Sequence, residues 1–230
     1  MYMHGEKNIN VDDLAITVSD RIVRSINSGK TDYTLDDILG VNVQTKHRAL
    51  KIYSFGHDSG GTRGFITFPI LTWKDNNGNT KAFNLSEYTY CKFEEIYRLQ
   101  NDLFLLLGHE SGSGACHQYI AYVIEIKDDI VNAEYKAFAN RPVLNLCNNS
   151  FSFDSSSKIL SCDAKRSANL AMQLEDESGY GKFAKDSIDN KRLFRMLADE
   201  YYEKRTIHLK FKKGKFVSEY KPIGMYEFSE

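Results

Sequence analysis

Two glycine-rich segments carry most of the side chains that could take part in chemistry. The first, residues 56–61, reads Gly-His-Asp-Ser-Gly-Gly, and the second, residues 108–114, reads Gly-His-Glu-Ser-Gly-Ser-Gly. Both follow an apolar stretch, and both contain the order glycine, histidine, acid, serine, glycine. Imidazole and carboxylate groups are ligands that suit zinc and manganese. If the two segments meet, they could form the metal centre of a hydrolase.

The strands that precede these two loops decide whether they meet. In an up-and-down antiparallel sheet the first and fifth strands point the same way, so the loops that follow them lie at one end of the sheet. Counted from residue 49, the strands before the two loops are the first and the fifth. We therefore predict one ligand-binding rim formed by His57, Asp58, Ser59, Arg63, His109, Glu110, Ser111 and His117.

Three other interpretations of the loops are alternatives to a metal site. Residues 58–61 are similar to the segment around the nucleophile of chymotrypsin-like proteases, but the mostly helical or irregular chain before Ser59 cannot supply the barrel that carries their histidine and aspartate. A phosphate-binding loop needs Lys and then Ser or Thr before a helix, whereas Gly61 precedes Thr62, Arg63 and a strand. The simplest interpretation is two hairpin loops whose glycines supply positive φ and whose polar side chains bond their own backbone.

Composition excludes several classes of protein. The chain has 230 residues and a mass of 26.4 kDa, which is enough for one large domain or two small ones. Hydrophobic residues make up 42% and charged residues 27%, so the bulk of the chain is not disordered. The formal net charge of −1 argues against a dedicated nucleic-acid-binding protein. No apolar run approaches the ~18 residues of a transmembrane helix, so none is expected.

The four cysteines are Cys91, Cys116, Cys147 and Cys162. They form no Cys-x-x-Cys pair, so a structural zinc site is not expected, and their spacing selects none of the three possible disulfide pairings. We expect reduced, mostly buried thiols. The N-terminus has no basic segment followed by an apolar stretch, so the chain as given is predicted to be cytoplasmic, or exported or envelope-anchored if a leader was removed.

Apolar residues recur at spacings of three and four between Val11 and Ile26, which predicts a helix over residues 11–28. Its Leu14, Val18 and Ile22 are expected to pack against the sheet. Asn10 can cap its start, and Gly29 follows its end. Residues 35–41 predict a short helical turn, and residues 189–204 suit either a helix or a strand. These features divide the chain into an N-terminal helical segment, residues 1–46, packed on an antiparallel β domain, residues 47–230.

From residue 49 onward the pattern changes to strands separated by short turns, with no alternating helices, which favours an antiparallel arrangement. The predicted strands are 49–55, 65–73, 80–85, 93–99, 103–107, 117–126, 130–138, 151–153, 159–161, 206–211 and 215–217. The run 103–107 has no polar face, so we expect it to be a central strand covered on both sides. The predicted fold is mainly β, an antiparallel meander of barrel, sandwich or propeller type with an N-terminal amphipathic helix.

The C-terminal hairpin is rich in basic residues, namely Lys204, Arg205, Lys210, Lys212, Lys213 and Lys215. They could bind an anionic ligand or a nucleic acid, but lysines on an edge strand also prevent that strand from pairing with another chain, which is the simpler explanation. The many tyrosine and phenylalanine residues fit the interior of strands. The alternative interpretation is that some of them form a carbohydrate- or peptide-binding face.

Residues 50–65 read Leu-Lys-Ile-Tyr-Ser-Phe-Gly-His-Asp-Ser-Gly-Gly-Thr-Arg-Gly-Phe. This segment resembles a group of small β-rich bacterial proteins in which a Tyr-Ser-Trp strand leads into an Asp-x-Gly-Gly-Thr loop and an aromatic strand. The resemblance covers residues 45–140. This chain departs from the group at Phe55, where Trp is usual, and it lacks a lipid-attachment leader. Members of the group are often exported or lipid-anchored, and the resemblance implies no activity.

These observations favour a non-catalytic binding or interaction module over an enzyme. Its partner is expected to be a protein, a peptide or a small molecule rather than a nucleic acid. The binding-module hypothesis predicts no cofactor and no bound metal ion. The alternative is a metal-dependent hydrolase that uses the two loops. The two hypotheses differ in whether His57 and His109 meet.

Overall fold

The computed structural model describes residues 10–29, 35–59, 64–113, 116–164, 168–178 and 187–221. Among the predicted site residues, Arg63 lies outside these ranges. The helices are α1 (Val11–Asn27), α2 (Leu35–Ile38), α3 (Ala168–Ser178) and α4 (Ile188–Lys204). The strands are β1 (Val41–Gln44), β2 (Lys51–Asp58), β3 (Phe65–Lys74), β4 (Thr80–Asn84), β5 (Lys92–Gln100), β6 (Leu103–Ser113), β7 (Cys116–Lys127), β8 (Ile130–Asn132), β9 (Val143–Cys147), β10 (Ser152–Asp154), β11 (Ile159–Asp163), β12 (Thr206–Lys212) and β13 (Lys215–Val217).

The strands form three antiparallel sheets, each of which follows the chain order. The first sheet is β1-β2-β3-β4, the second is β5-β6-β7-β8 with β9 also paired to β7, and the third is β10-β11-β12-β13. This arrangement confirms the mainly-β, antiparallel meander with an N-terminal helix. The meander is interrupted, however, because β4 does not pair with β5. A short 3₁₀ turn, Leu85–Glu87, directs the chain out of the first sheet, so the two glycine-rich segments lie in different sheets.

Strand β6 is buried on both faces, as its sequence predicts. Leu103, Leu105 and Leu107 belong to a core shared with the third sheet, α3 and α4. The alternate residues Phe104 and Leu106 belong to a second core shared with the first sheet. Because successive strand residues point to opposite faces, this one strand joins the two largest apolar cores of the described structure.

Helix α1 packs on the first sheet through a different face from the one predicted. Ala15 and Ser19 are buried, whereas Leu14 and Val18 are 52% and 38% exposed; of the predicted contacts only Ile22 packs, partly buried, against the sheet. Polar contacts set this rotation. The Ser19 and Ser86 hydroxyl oxygens lie 3.5 Å apart. The Asn84 side chain donates a 2.7 Å hydrogen bond to Asp20.

Two helix side chains cover open edges of the sheets in the same way. The carboxamide of Asn27 in α1 donates to the carbonyl of Ala82 and accepts from its N–H, at 2.9 and 2.8 Å. The carboxamide of Gln173 in α3 donates to the carbonyl of Asn145 and accepts from the N–H of Cys147, at 2.9 and 3.0 Å. Each side chain thus satisfies backbone groups that an edge strand would otherwise leave open for pairing with another chain.

The segment of ambiguous pattern, residues 189–204, is helical. The Ser187 side chain caps its start by accepting from the Asn190 N–H, and its apolar stripe is buried in the core shared with the third sheet. Strand β8 ends at Asn132, earlier than predicted, because the Asn132 side chain accepts from the Glu134 N–H and turns the chain. Strands β1 and β9 and helix α3 were not predicted.

The expectation of four reduced thiols is wrong for one pair. Cys116 and Cys147 form a disulfide, while Cys91 and Cys162 are unbonded and buried. The register of β7 and β9 places Gln118 opposite Cys147, so Cys116, two residues earlier, lies near Cys147 at the end of the same pair of strands. Burial raises the pKa of the Cys162 thiol to about 12, which makes it a poor nucleophile.

The two-sided burial of β6 predicts the effect of truncating its central leucine. Leu105→Ala should lower the free energy of unfolding by about 2–5 kcal/mol, because it leaves a cavity in a close-packed core. Leu14→Ala is the matched control on the exposed face of α1 and should change it by less than about 0.5 kcal/mol. Denaturant unfolding measures both values. Equal losses in the two variants would contradict the assignment of β6 as the shared strand.

The disulfide predicts a thiol count. Alkylation of the denatured protein without reductant should label two thiols, Cys91 and Cys162, and four after reduction. Cys116→Ser should lower the free energy of unfolding by about 3–4 kcal/mol, because the bond no longer restricts the unfolded chain. Mass spectrometry gives the count, and four labelled thiols before reduction would exclude the bond.

Candidate functional site

The first predicted histidine, His57, is paired with an acid from α1. Its Nε2 lies 2.8 Å from Asp12 Oδ1, and its Nδ1 lies 3.2 Å from the carbonyl oxygen of Asp58. The ring stacks on Phe68 at a centroid distance of 5.8 Å. The Asp58 carbonyl, and next the Asp12 carboxylate, raise the pKa of His57 above its ordinary value. This side chain therefore joins α1 to the first sheet.

The rest of the first segment has the geometry of a hairpin. Asp58 is exposed and pairs with Phe65 at the end of β2, and the Ser59 N–H donates a 2.8 Å hydrogen bond to the carbonyl of Gly64. Gly56 does not adopt positive φ, contrary to expectation. Instead, a Cβ atom there would lie 2.1 Å from the carbonyl oxygen of Ile66, so the residue is required by the close approach of the neighbouring strand.

Most of the second segment is strand rather than loop, since β6 continues to Ser113. His109 Nδ1 lies 3.5 Å from Glu94, and Ser111 is exposed. One oxygen of Glu110 accepts from the Thr89 hydroxyl and the Tyr90 N–H, at 2.7 and 2.9 Å.

Gly108 and the nearby His117 both have structural roles. Gly108 has the same role as Gly56, because a Cβ atom there would lie 2.2 Å from the carbonyl oxygen of Lys92. His117, at the start of β7, is fixed through its backbone by Asn148. Gly56 and Gly108, the first glycines of the two segments, are thus both required by the close approach of a neighbouring strand.

The two segments are linked indirectly, through aromatic rings. Phe68, on which His57 stacks, contacts Tyr90 edge to face at 5.5 Å, and the Tyr90 N–H binds Glu110. His57 and His109 have separate acidic partners, Asp12 and Glu94. Within the described ranges, no group of three or more histidine, cysteine, aspartate or glutamate side chains is arranged to hold a metal ion.

A cavity of about 600 Å³ lies on the helix-covered face of the first sheet, away from these segments. Its lining combines aromatic, hydroxyl, amide and charged groups from α1, α2, three strands and the β3–β4 turn. The described lining residues are Ile26, Gly29, Leu35, Asp36, Ala49, Lys51, Tyr53, Thr72, Trp73, Lys74, Gly78, Asn79 and Thr80. None of these residues was predicted from the sequence to belong to a site.

The polar side chains of this cavity hold one another in place. Asp36 accepts hydrogen bonds from Lys51 Nζ and from the Tyr53 hydroxyl, both at 2.5 Å. The bond from Lys51, and then that from Tyr53, hold the pKa of Asp36 below its ordinary value. Burial, followed by the bond to Asp36, raises the pKa of Tyr53. Lys74 donates a 2.9 Å hydrogen bond to the Thr80 hydroxyl.

No family model matches this chain, and neither a curated protein nor a solved structure matches it. The resemblance of residues 50–65 to a bacterial group therefore stays a prediction. No helix in the described ranges has the length and apolar character that crossing a membrane requires.

The contact between His57 and Asp12 predicts a pH dependence. Because the folded-state pKa of His57 is raised, the stabilisation it gives is complete below the ordinary value of about 6.5 and is lost as the pH rises through the folded pKa. Asp12→Asn should therefore lower the pKa of His57, measured by NMR titration of its ring protons. Asp13→Asn, in the same helical turn, is the control. Equal pKa values in all three proteins would rule out the pairing.

Proposed function

We propose that this protein is a non-catalytic binding module, and that the cavity on the first sheet is its principal site. The observation that carries the proposal is the cavity itself. Its volume of about 600 Å³ lies within the range of ~300–1,000 Å³ that small-molecule sites occupy. Apolar walls, such as Leu35 and Ile26, accompany a small number of oriented polar groups, which is the usual composition of such a site.

The charges of the cavity indicate the class of ligand. Two ammonium groups, Lys51 and Lys74, line it with a single carboxylate, Asp36. Asp36 already pairs with Lys51, and among the described residues Lys74 has the Thr80 hydroxyl as its hydrogen-bond partner and no carboxylate. A small molecule that carries a carboxylate and an apolar or hydroxylated body would complement this arrangement. The existing bonds among Asp36, Tyr53 and Lys51 orient these groups in advance, which reduces the entropic cost of binding.

The lining chemistry also supports a binding role rather than catalysis. None of the described lining residues is a histidine or a cysteine. Within the described lining, the hydroxyl groups of Thr72 and Thr80 are therefore not accompanied by an imidazole that could act as a general base, whereas nucleophilic catalysis by a hydroxyl needs an adjacent base.

The disulfide supports a location outside the cytosol. Cys116 and Cys147 close a loop with a sequence separation of 31 residues, and such bonds persist mainly in oxidising compartments. We therefore favour the exported or envelope-associated location over the cytoplasmic one, in line with the resemblance of residues 50–65. In such a location a binding module would meet small molecules from outside the cell.

A variant that fills the mouth of the cavity tests the proposal. Thr80 is exposed at the start of β4 and lines the cavity, so Thr80→Trp should obstruct it while remaining compatible with a strand. Small carboxylic acids that bind the wild-type protein in ligand-observed NMR should bind this variant at least about tenfold more weakly, a loss of about 1.4 kcal/mol. Lys74→Gln should also weaken the binding of these acids, because it removes a positive charge without adding bulk.

The matched control is Ser152→Trp, which places the same side chain at an exposed strand position in the third sheet. It should bind the same acids as the wild-type protein. If no small carboxylic acid binds the wild-type protein, or if both tryptophan variants and Lys74→Gln bind as the wild type does, the cavity is not the principal site.

A further inference from the structure

A second cavity, of about 220 Å³, lies against the second sheet, where the chain enters β5. It is separate from the cavity of the proposed function, and its lining differs in charge. Its described lining residues are Tyr88, Thr89, Glu110, Ile120, Tyr122, Glu134, Pro142, Val143 and Asn145. One of them, Glu110, is a residue that the sequence predicts to bind a ligand.

The described lining of this cavity carries two carboxylates and no basic side chain. Thr89 and the Tyr90 N–H both donate to one oxygen of Glu110, Oε1, which fixes the orientation of the carboxylate and leaves Oε2 without a described hydrogen bond. The second carboxylate, Glu134, forms no ion pair with any described residue. The described lining of the cavity is therefore net negative.

Two tyrosines form aromatic walls beside these carboxylates. Tyr122 is buried, and its hydroxyl donates a 2.6 Å hydrogen bond to the carbonyl of Ala133, which keeps the ring in place. Burial, and then the proximity of Tyr88 and Glu134, raise the pKa of Tyr122. The side chains of Tyr88, Tyr122 and Glu134 all line this one cavity. Ile120, Pro142 and Val143 supply apolar surface.

We propose that this second cavity binds a small organic ammonium ion. The carbon skeleton of such an ion fits apolar and aromatic walls. The positive charge of the ion is attracted both to carboxylates and to the faces of tyrosine rings. A hydrated metal ion fits less well, since calcium requires about six to eight oxygen ligands. Besides the two carboxylates, the described non-aromatic lining offers only the Thr89 hydroxyl and the Asn145 amide as side-chain oxygen ligands, and Glu110 Oε1 already accepts two hydrogen bonds. The charge of the cavity is opposite to that of the first one, so the two sites select different ligands.

The test uses choline chloride as the probe and its uncharged carbon isostere, 3,3-dimethylbutan-1-ol, as the comparison. Choline should shift the backbone amide resonances of residues around Tyr88 and Glu110 in a saturable manner, with a dissociation constant at or below about 10 mM. The isostere has the same shape without the charge, so it should bind at least about fivefold more weakly. A third titration, with calcium chloride, should leave the affinity for choline unchanged.

Two variants and a control assign the site. Glu134→Gln should weaken choline binding by about tenfold, and Tyr88→Leu by about three- to fivefold. Glu87→Gln removes the same charge from an exposed residue that does not line the cavity, and it should bind choline as the wild-type protein does.

Four results would overturn the proposal. The first is the absence of saturable shifts with choline, and the second is equal binding of choline and its isostere. The third is competition by calcium with choline, which would identify the cavity as a site for inorganic cations. Equal losses in Glu134→Gln and Glu87→Gln would likewise reject the assignment, because they would reflect net charge alone. None of these results bears on the cavity of the first sheet.

Discussion

The burial of β6 on both of its faces is the constraint on which the rest of the structure depends. Leu105 and its alternate neighbours hold the third sheet and the C-terminal helices, while Phe104 and Leu106 hold the first sheet. Because the inner face of the first sheet is used for this contact, its outer face must be covered by other elements. Helices α1 and α2 supply that cover, and the larger cavity lies between them and the sheet.

Polar side chains then determine how closely the helices approach. The Asn27 carboxamide fixes the end of α1 to β4 at Ala82, and Asp36 fixes α2 to β2 through Lys51 and Tyr53. Helix α1 is not held by apolar packing alone, since its Leu14 and Val18 remain exposed. A helical cover that is fixed by a few polar contacts can leave space above the sheet, whereas a fully apolar interface would have closed it.

The sequence predicts those features that depend on local pattern. The continuous apolar run at 103–107, the predicted strands 65–73 and 80–85, and the periodicity of α1 all identify elements that the structure contains. It does not predict features that depend on pairing between distant residues. The glycines at 56 and 108 indicated loops, but each is required by a backbone carbonyl on a neighbouring strand. Likewise, the cavity around Asp36 and Tyr53 is assembled from segments that no motif connects, so sequence reasoning directed attention to the histidines instead.

A crystal structure of the protein soaked with a concentrated mixture of small carboxylic acids would test the central claim most directly. The account predicts an acid in the cavity of the first sheet, with its carboxylate near Lys74 and its body against Tyr53 and Leu35. The positions of Asp36 and Lys51 should be the same as in the protein without ligand, because the site is already oriented. Acids bound only elsewhere on the protein, with this cavity occupied by solvent, would contradict the account.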